Sequence, residues 1–181
     1  MYGIVNQAIQ GLVTDNFGVE SWLRVKTNAN ISEEYFLNNQ LYEDDITYRL
    51  AVASAEVLDI PLTDVLVSFG KYWILKTSKE KYGTLMQSGG NSFSEFIRNL
   101  PDFHSRVMLI YAEIKPPEFI VNEITENEFI LHYFSTRSYL TDFMLGLIHG
   151  LAELHNISID VHILKDRRNG FDHDEFKVKV L

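Results

Sequence analysis

The chain contains no cysteine, so a disulfide framework, a thiolate metal site and a cysteine nucleophile are all excluded, and an oxidising compartment is not indicated. No stretch of about 18 apolar residues occurs, which argues against a membrane-spanning helix. The N-terminus, Met1-Tyr2-Gly3-Ile4-Val5-Asn6-Gln7, lacks the basic start and long apolar run of a secretory signal. Basic residues are also few, 16 against 25 acidic, and the resulting net charge of -9 argues against a nucleic-acid surface. A cytoplasmic protein, neither inserted in a membrane nor bound to nucleic acid, is the expectation. What is present is apolar material: 46% of the 181 residues are hydrophobic, enough for one domain to bury about 70% of its unfolded surface. No internal repeat or low-complexity segment interrupts it.

Up to about residue 115 the apolar residues recur at helical spacing. Tyr2, Val5, Ile9, Leu12, Val13 and Phe17 make one stripe, closed at Gly18, and Trp22, Leu23 and Val25 a second short helix. Ser32-Glu33-Glu34 resembles a helix start with acids at its positive end. Asp44-Asp45 caps a helix through Leu50, Ala53 and Val57 that ends before Pro61. Thr63-Asp64 opens the next, with Leu66, Phe69, Trp73 and Thr77 in a row and Trp73 expected to be buried. Lys79 to Gln87 forms a further piece, and Ser92 starts one carrying Phe93, Phe96, Ile97 and Leu100. Pro101 is expected to restart the chain as a helix from Asp102 to Tyr111, because proline is favoured at a first helical position. Its apolar stripe, with Val107, Met108 and Tyr111, contains His104. A histidine so placed is either a core residue with a satisfied ring nitrogen or the best candidate metal ligand in the chain.

Pro116-Pro117 marks a change of character, from helical periodicity before it to strand alternation after it, with one more helix from Tyr139 to His155. Strands are predicted at Phe119–Ile124, Glu128–Arg137, Ile157–Leu164 and Phe176–Leu181, the last two around a polar turn containing Asn169-Gly170. The expected class is therefore α+β: a helical part over about 1–115 packed on an antiparallel sheet with helices over about 116–181, within one domain of 1–181. On the strand ending at Arg137, Phe129, Leu131, Tyr133, Ser135 and Arg137 share one face, which passes from apolar side chains to a phenol, a hydroxyl and a guanidinium. Such donors suit the carboxylates of a ligand whose apolar body lies against the greasy half. The same spacing also fits an edge strand with a solvated end. His132 lies on the opposite face, His149, His155, His162 and His173 form no compact ligand pattern, and Asp172-His173-Asp174 reads as a solvated charge run.

These motifs, in this order, resemble the haem-based nitric oxide and oxygen binding (H-NOX) domains, relatives of the haem domain of soluble guanylate cyclase. The resemblance rests on Tyr133-x-Ser135-x-Arg137, on His104 upstream and on Pro116-Pro117 between them. The Met-x-Gly-Ile-Val opening and Leu145-Gly146-Leu147-Ile148-x-Gly150 also match. It implies haem b (iron protoporphyrin IX) between the two parts, its propionates on Tyr133, Ser135 and Arg137, its iron on His104, and Pro117 and Val5 pressing on the porphyrin, with Leu147 on the matching helix. Oxygen-binding members carry a distal tyrosine where Phe143 stands here. The resemblance thus implies a five-coordinate ferrous haem that binds nitric oxide and carbon monoxide but not oxygen stably, with Trp73 and Phe143 on the distal side. It further implies a bacterial gas sensor, not an enzyme, in which His104 releases the iron and a separate protein, such as a histidine kinase or cyclic-dinucleotide enzyme, receives the signal. Two other readings are a haem enzyme acting on peroxide or nitric oxide, and a module holding an apolar carboxylic acid without iron.

Overall fold

The structure, a computed structural model, describes residues 1–110 and 117–181. Helix α1 (Gly3–Asn28) turns Ile9, Leu12, Val13, Trp22 and Val25 inward, as its spacing predicts. At Gly18 the backbone takes φ 84° and ψ 165°, accessible to glycine, so the chain divides there into the two expected helical pieces. Ser32-Glu33-Glu34 does not start a helix. No apolar stripe follows those acids, since Tyr35 and Leu37 stay exposed and only Phe36 anchors the segment in the core. Helix α2 (Asp44–Leu58) begins with its two acids and ends on Asp59, in the left-handed conformation two residues before Pro61.

Helix α3 (Leu62–Tyr72) continues into a π-helical segment, Trp73–Ser78, and then α4 (Lys79–Gln87). Trp73 is half-buried rather than buried, because one side of it packs on the helical cluster and it also borders a cavity. Helix α5 (Phe93–Ile110) runs straight through Pro101, where a restart was expected. The proline forfeits one backbone hydrogen bond, but Phe93, Phe96, Ile97, Leu100 and Phe103, on both sides of it, are all buried on one face and keep the helix whole. Met108 is exposed, so His104 and Val107 sit at the margin of that face. The expectations for Tyr111 and Pro116 lie outside the described residues.

Four strands form one antiparallel sheet in the order β1 (Glu118–Thr125), β2 (Glu128–Phe134), β4 (Asp174–Val180), β3 (Ile159–Lys165). Phe129, Leu131 and Tyr133 of β2 are buried, and Phe176 and Val178 of β4 lie on the same inward face, where period two places them. Strands β3 and β4 pair as expected, but their connection is longer than a tight turn, with a 3-10 turn at Arg167–Asn169 closed by Gly170 at φ 90°. Helix α6 (Thr141–Leu154) crosses α3 at two glycines. A Cβ on Gly146 would meet the Val67 carbonyl oxygen at 2.1 Å, and one on Gly70 that of Phe143 at 2.2 Å, so nothing larger than hydrogen fits the crossing. An apolar cluster from α1, α2 and α3 and another from α5, the sheet and α6 make up the core. The architecture is the expected helical block followed by an antiparallel sheet. Among the described residues, no helix is long and apolar enough to cross a membrane.

Candidate functional site

Where the two apolar clusters face each other, they leave a cavity of about 340 Å³, of the size that small molecules and cofactors occupy. Its wall is mostly aliphatic and aromatic, with Ile4 and Leu66 from the helical side and Met144 and Ile148 from α6. Val5, Trp73, His104, Pro117, Tyr133, Ser135, Arg137, Phe143 and Leu147 all line it. Residues more than a hundred positions apart in the chain are thus brought around one space.

His104 projects from α5 between the rings of Phe103 and Phe119, whose centroids lie 5.5 and 4.4 Å away. Its Nδ1 is 3.1 Å from the Leu100 carbonyl oxygen, which can only accept, so Nδ1 carries the proton and Nε2 keeps a lone pair. Burial pushes the imidazole down to about 4, more than the Leu100 bond raises it, and it is neutral at neutral pH. A neutral imidazole with an uncommitted Nε2 is the form that binds a metal.

At the sheet side of the cavity, Tyr133 is buried and burial pushes its phenol above the ordinary value, so it stays a protonated donor. Strand β2 ends at Phe134, so Ser135 and Arg137 stand in the loop after it and not on the strand face expected for them. The loop shapes itself locally, the Ser135 hydroxyl oxygen accepting from the Arg137 backbone N–H at 3.1 Å. Arg137 still reaches the cavity. Its Nε donates to Asp44 Oδ2 at 2.7 Å, tying the loop to the first residue of α2, and the amino group of Met1 meets the same carboxylate at 2.6 Å. Partial burial draws the Asp44 carboxyl upward, but hydrogen bonds and charge from the Met1 amino group and Arg137 outweigh it and hold the group below the usual range.

Sequence reasoning did not find the residues that brace this loop. Arg167 donates from one guanidinium nitrogen to the carbonyl oxygens of Ser135 and Arg137, both at 2.8 Å. Its backbone N–H donates to Asp174 Oδ1 at 2.9 Å, and the Thr141 hydroxyl donates to the same oxygen at 3.0 Å. Arg168 pairs with Asp166 and Asp142, each at 2.6 Å, and its guanidinium holds the Asp166 carboxyl below the usual range. The turn that read only as polar therefore fixes the backbone carrying Ser135 and Arg137, and of the run Asp172-His173-Asp174, expected to be solvated, His173 and Asp174 are buried, Asp174 because it accepts these bonds. Two adjacent arginines after a predicted strand were the available signal, but it names no partner.

On α3 and α6 the wall is aromatic. Phe69 packs 4.7 Å from Phe143 and edge-on to Trp73 at 6.5 Å. The donor set as a whole fits haem: an apolar slot, a neutral imidazole on one wall, and a phenol, a hydroxyl and a guanidinium grouped where two carboxylates would lie.

Comparisons with known proteins agree with that fit. Residues 2–163 match the family model for Haem-NO-binding domains. The chain is 26% identical over 171 residues to soluble guanylate cyclase gcy-33 of Caenorhabditis elegans, covering 94% of this chain and 18% of that protein. It is 22% identical over 174 residues to soluble guanylate cyclase 89Da of Drosophila melanogaster, covering 93% and 26%. The chain thus spans about a fifth to a quarter of the length of these curated relatives. Among solved structures, an H-NOX protein from S. oneidensis in the Fe(II)NO ligation state superposes with a TM-score of 0.89 at 20% identity, over 100% of this chain and 99% of that one. The Fe(II) unliganded H-NOX protein from K. algicida gives 0.84 at 24% identity, over 100% and 97%. With the family model matched along most of its length and the same fold throughout, the chain belongs to the Haem-NO-binding (H-NOX) family.

Proposed function

We propose that this domain is a gas sensor that takes nitric oxide, and carbon monoxide, at a five-coordinate ferrous haem b, and passes a conformational signal to a separate partner protein without catalysing a reaction. The observation that carries the reading is the meeting of His104 with Tyr133, Ser135 and Arg137 around one apolar cavity. Haem, when bound, would supply an iron atom able to take a diatomic gas. His104, its ring fixed by Phe103, Phe119 and the Leu100 carbonyl, would hold that iron through Nε2. Tyr133, Ser135 and Arg137 bind the propionates, which orients the cofactor, while apolar burial supplies most of the affinity. Val5, Pro117 and Leu147 line the cavity and would give the macrocycle apolar surface from the helical side, the sheet side and α6.

Trp73 and Phe143, which line the same cavity, would lie on the distal side. Phenylalanine offers no donor to a polar bound dioxygen, which favours nitric oxide and carbon monoxide over oxygen. The signal arises because the cavity lies between two separately packed clusters, so a change in its occupant biases how they sit against each other. A histidine kinase or cyclic-dinucleotide enzyme is the class of partner that would read it. The test is an absorption spectrum of the reduced protein, first in nitric oxide and then in air. A Soret shift with nitric oxide and no lasting oxygen complex is expected, whereas a stable oxygen spectrum would overturn the selectivity, and a colourless protein that refuses haemin would overturn the whole reading.

A further inference from the structure

On the sheet face turned away from the cavity, two histidines that lie 41 positions apart meet a carboxylate. His132 of β2 stands directly opposite Glu175 of β4 in the strand register, and His173 immediately precedes β4, two residues before Glu175. His132 Nδ1 is 3.0 Å from His173 Nε2 and 3.5 Å from Glu175 Oε2, and His173 Nε2 is 3.7 Å from the same oxygen. All three side chains are sheltered, with exposures of 17%, 9% and 12%. Bonds of about 2.0–2.1 Å at tetrahedral angles place ligand atoms about 3.3–3.4 Å apart, and the three observed separations lie within about 0.4 Å of that spacing.

We propose that His132 Nδ1, His173 Nε2 and Glu175 Oε2 form a binding site for one late first-row divalent cation of the zinc type, with a fourth position left for water. The surroundings prepare the ligands. His173 Nδ1 lies 2.7 Å from Asp172 Oδ1, to which it donates, so its Nε2 carries the lone pair and faces the other two ligands. The Phe134 ring stacks on His173 at 4.4 Å and fixes its plane. Burial moves the His132 imidazole below its ordinary value, which favours the neutral form. Lys165, 2.6 Å from Glu175 Oε2, keeps the carboxylate charged and is itself more than a third exposed, free to swing aside for a cation.

Without metal the same groups make a consistent chain, in which the Asn122 amide donates to His132 Nε2 at 3.0 Å and His132 Nδ1–H donates to His173 Nε2. A cation on Nδ1 requires the proton to move to Nε2, and the Asn122 amide to turn its oxygen toward it. Metal binding is therefore coupled to a tautomer change at His132, which a purely structural hydrogen-bond chain would not show.

The experiment is calorimetric titration of chelator-treated, haem-loaded protein with zinc chloride, alongside nitrogen-15 spectra of the histidine rings. One equivalent should bind at micromolar concentration or below, and His132 should change from the Nδ1–H to the Nε2–H form. His173→Ala and Glu175→Gln should each weaken binding by at least tenfold. Asp172→Asn should weaken it by about tenfold or more, through His173. Asn122→Asp, an exposed change that leaves the fold alone, should tighten it. His162→Ala, on exposed β3 away from the triangle, should leave it unchanged. Absence of saturable binding, or binding that survives His173→Ala and Asn122→Asp unaltered, overturns the site. The Soret band is read in the same samples, so loss of this site and failure of the haem reading give separate results.

Discussion

At the sheet side of the cavity, beside Tyr133, Ser135 and Arg137 sit in a web that runs through Arg167, Asp44, Thr141 and Asp174. At α5, His104 is held by two rings and one carbonyl oxygen. The first region is positioned by directional bonds between several elements, so the loss of one leaves others. The second is positioned by packing, and a single atom, Nε2, carries its chemistry. Redundant polar anchoring should fail by degrees, whereas a sole imidazole should fail outright.

The contrast breaks most sharply at His104. In His104→Ala the iron–histidine stretch should vanish from resonance Raman spectra, and an unchanged band would remove His104 as ligand. Haem-free protein extends the test to pH. The folded His104 titrates near 4, below its unfolded value of about 6.5, so the unfolded chain binds more protons between these values. The stability His104 confers is therefore complete above about pH 6.5 and is lost as the pH falls toward 4. Urea unfolding at pH 7 and pH 5 should show this loss, and His104→Gln should flatten it.

Smaller, graded effects are expected at the other end. Arg137→Ala removes charge-assisted bonds of about 1.5–3 kcal/mol, so haem transfer to a scavenging globin should quicken about 10- to 100-fold. Arg167→Ala strips two loop carbonyls of their donor, and a loss of about 1–2 kcal/mol should quicken transfer about 5- to 30-fold. Tyr133→Phe deletes one neutral donor, about 1 kcal/mol, and should quicken it about fivefold. Equal effects from all three would mean that the web acts as one unit rather than as separable bonds.

Much of this was legible from periodicity. Alternation placed Phe129, Leu131 and Tyr133 on one buried face, and helical spacing put His104 on a partly apolar one. Strand length was not, because residue type does not say where a ladder stops pairing, and Ser135 and Arg137 reach the cavity from a loop instead. Pro101 misled in the opposite sense: its local preference yields to five buried apolar side chains around it. Asp44 looked like a helix-end acid because its partner Arg137 lies 93 residues away. The meeting of His132 with His173 and Glu175 was equally hidden, since parity assigns a face but only the register of β2 on β4 brings them together.

The crossing of α3 and α6 at Gly70 and Gly146 limits how the two halves of the protein can move. Backbone already touches backbone there, so the helices can neither close further nor slide with their carbonyls in the way. What remains is rocking about that point, a fulcrum beside Phe143 and Leu147. A small displacement at the cavity would then be levered into a larger one at the far ends of α3 and α6.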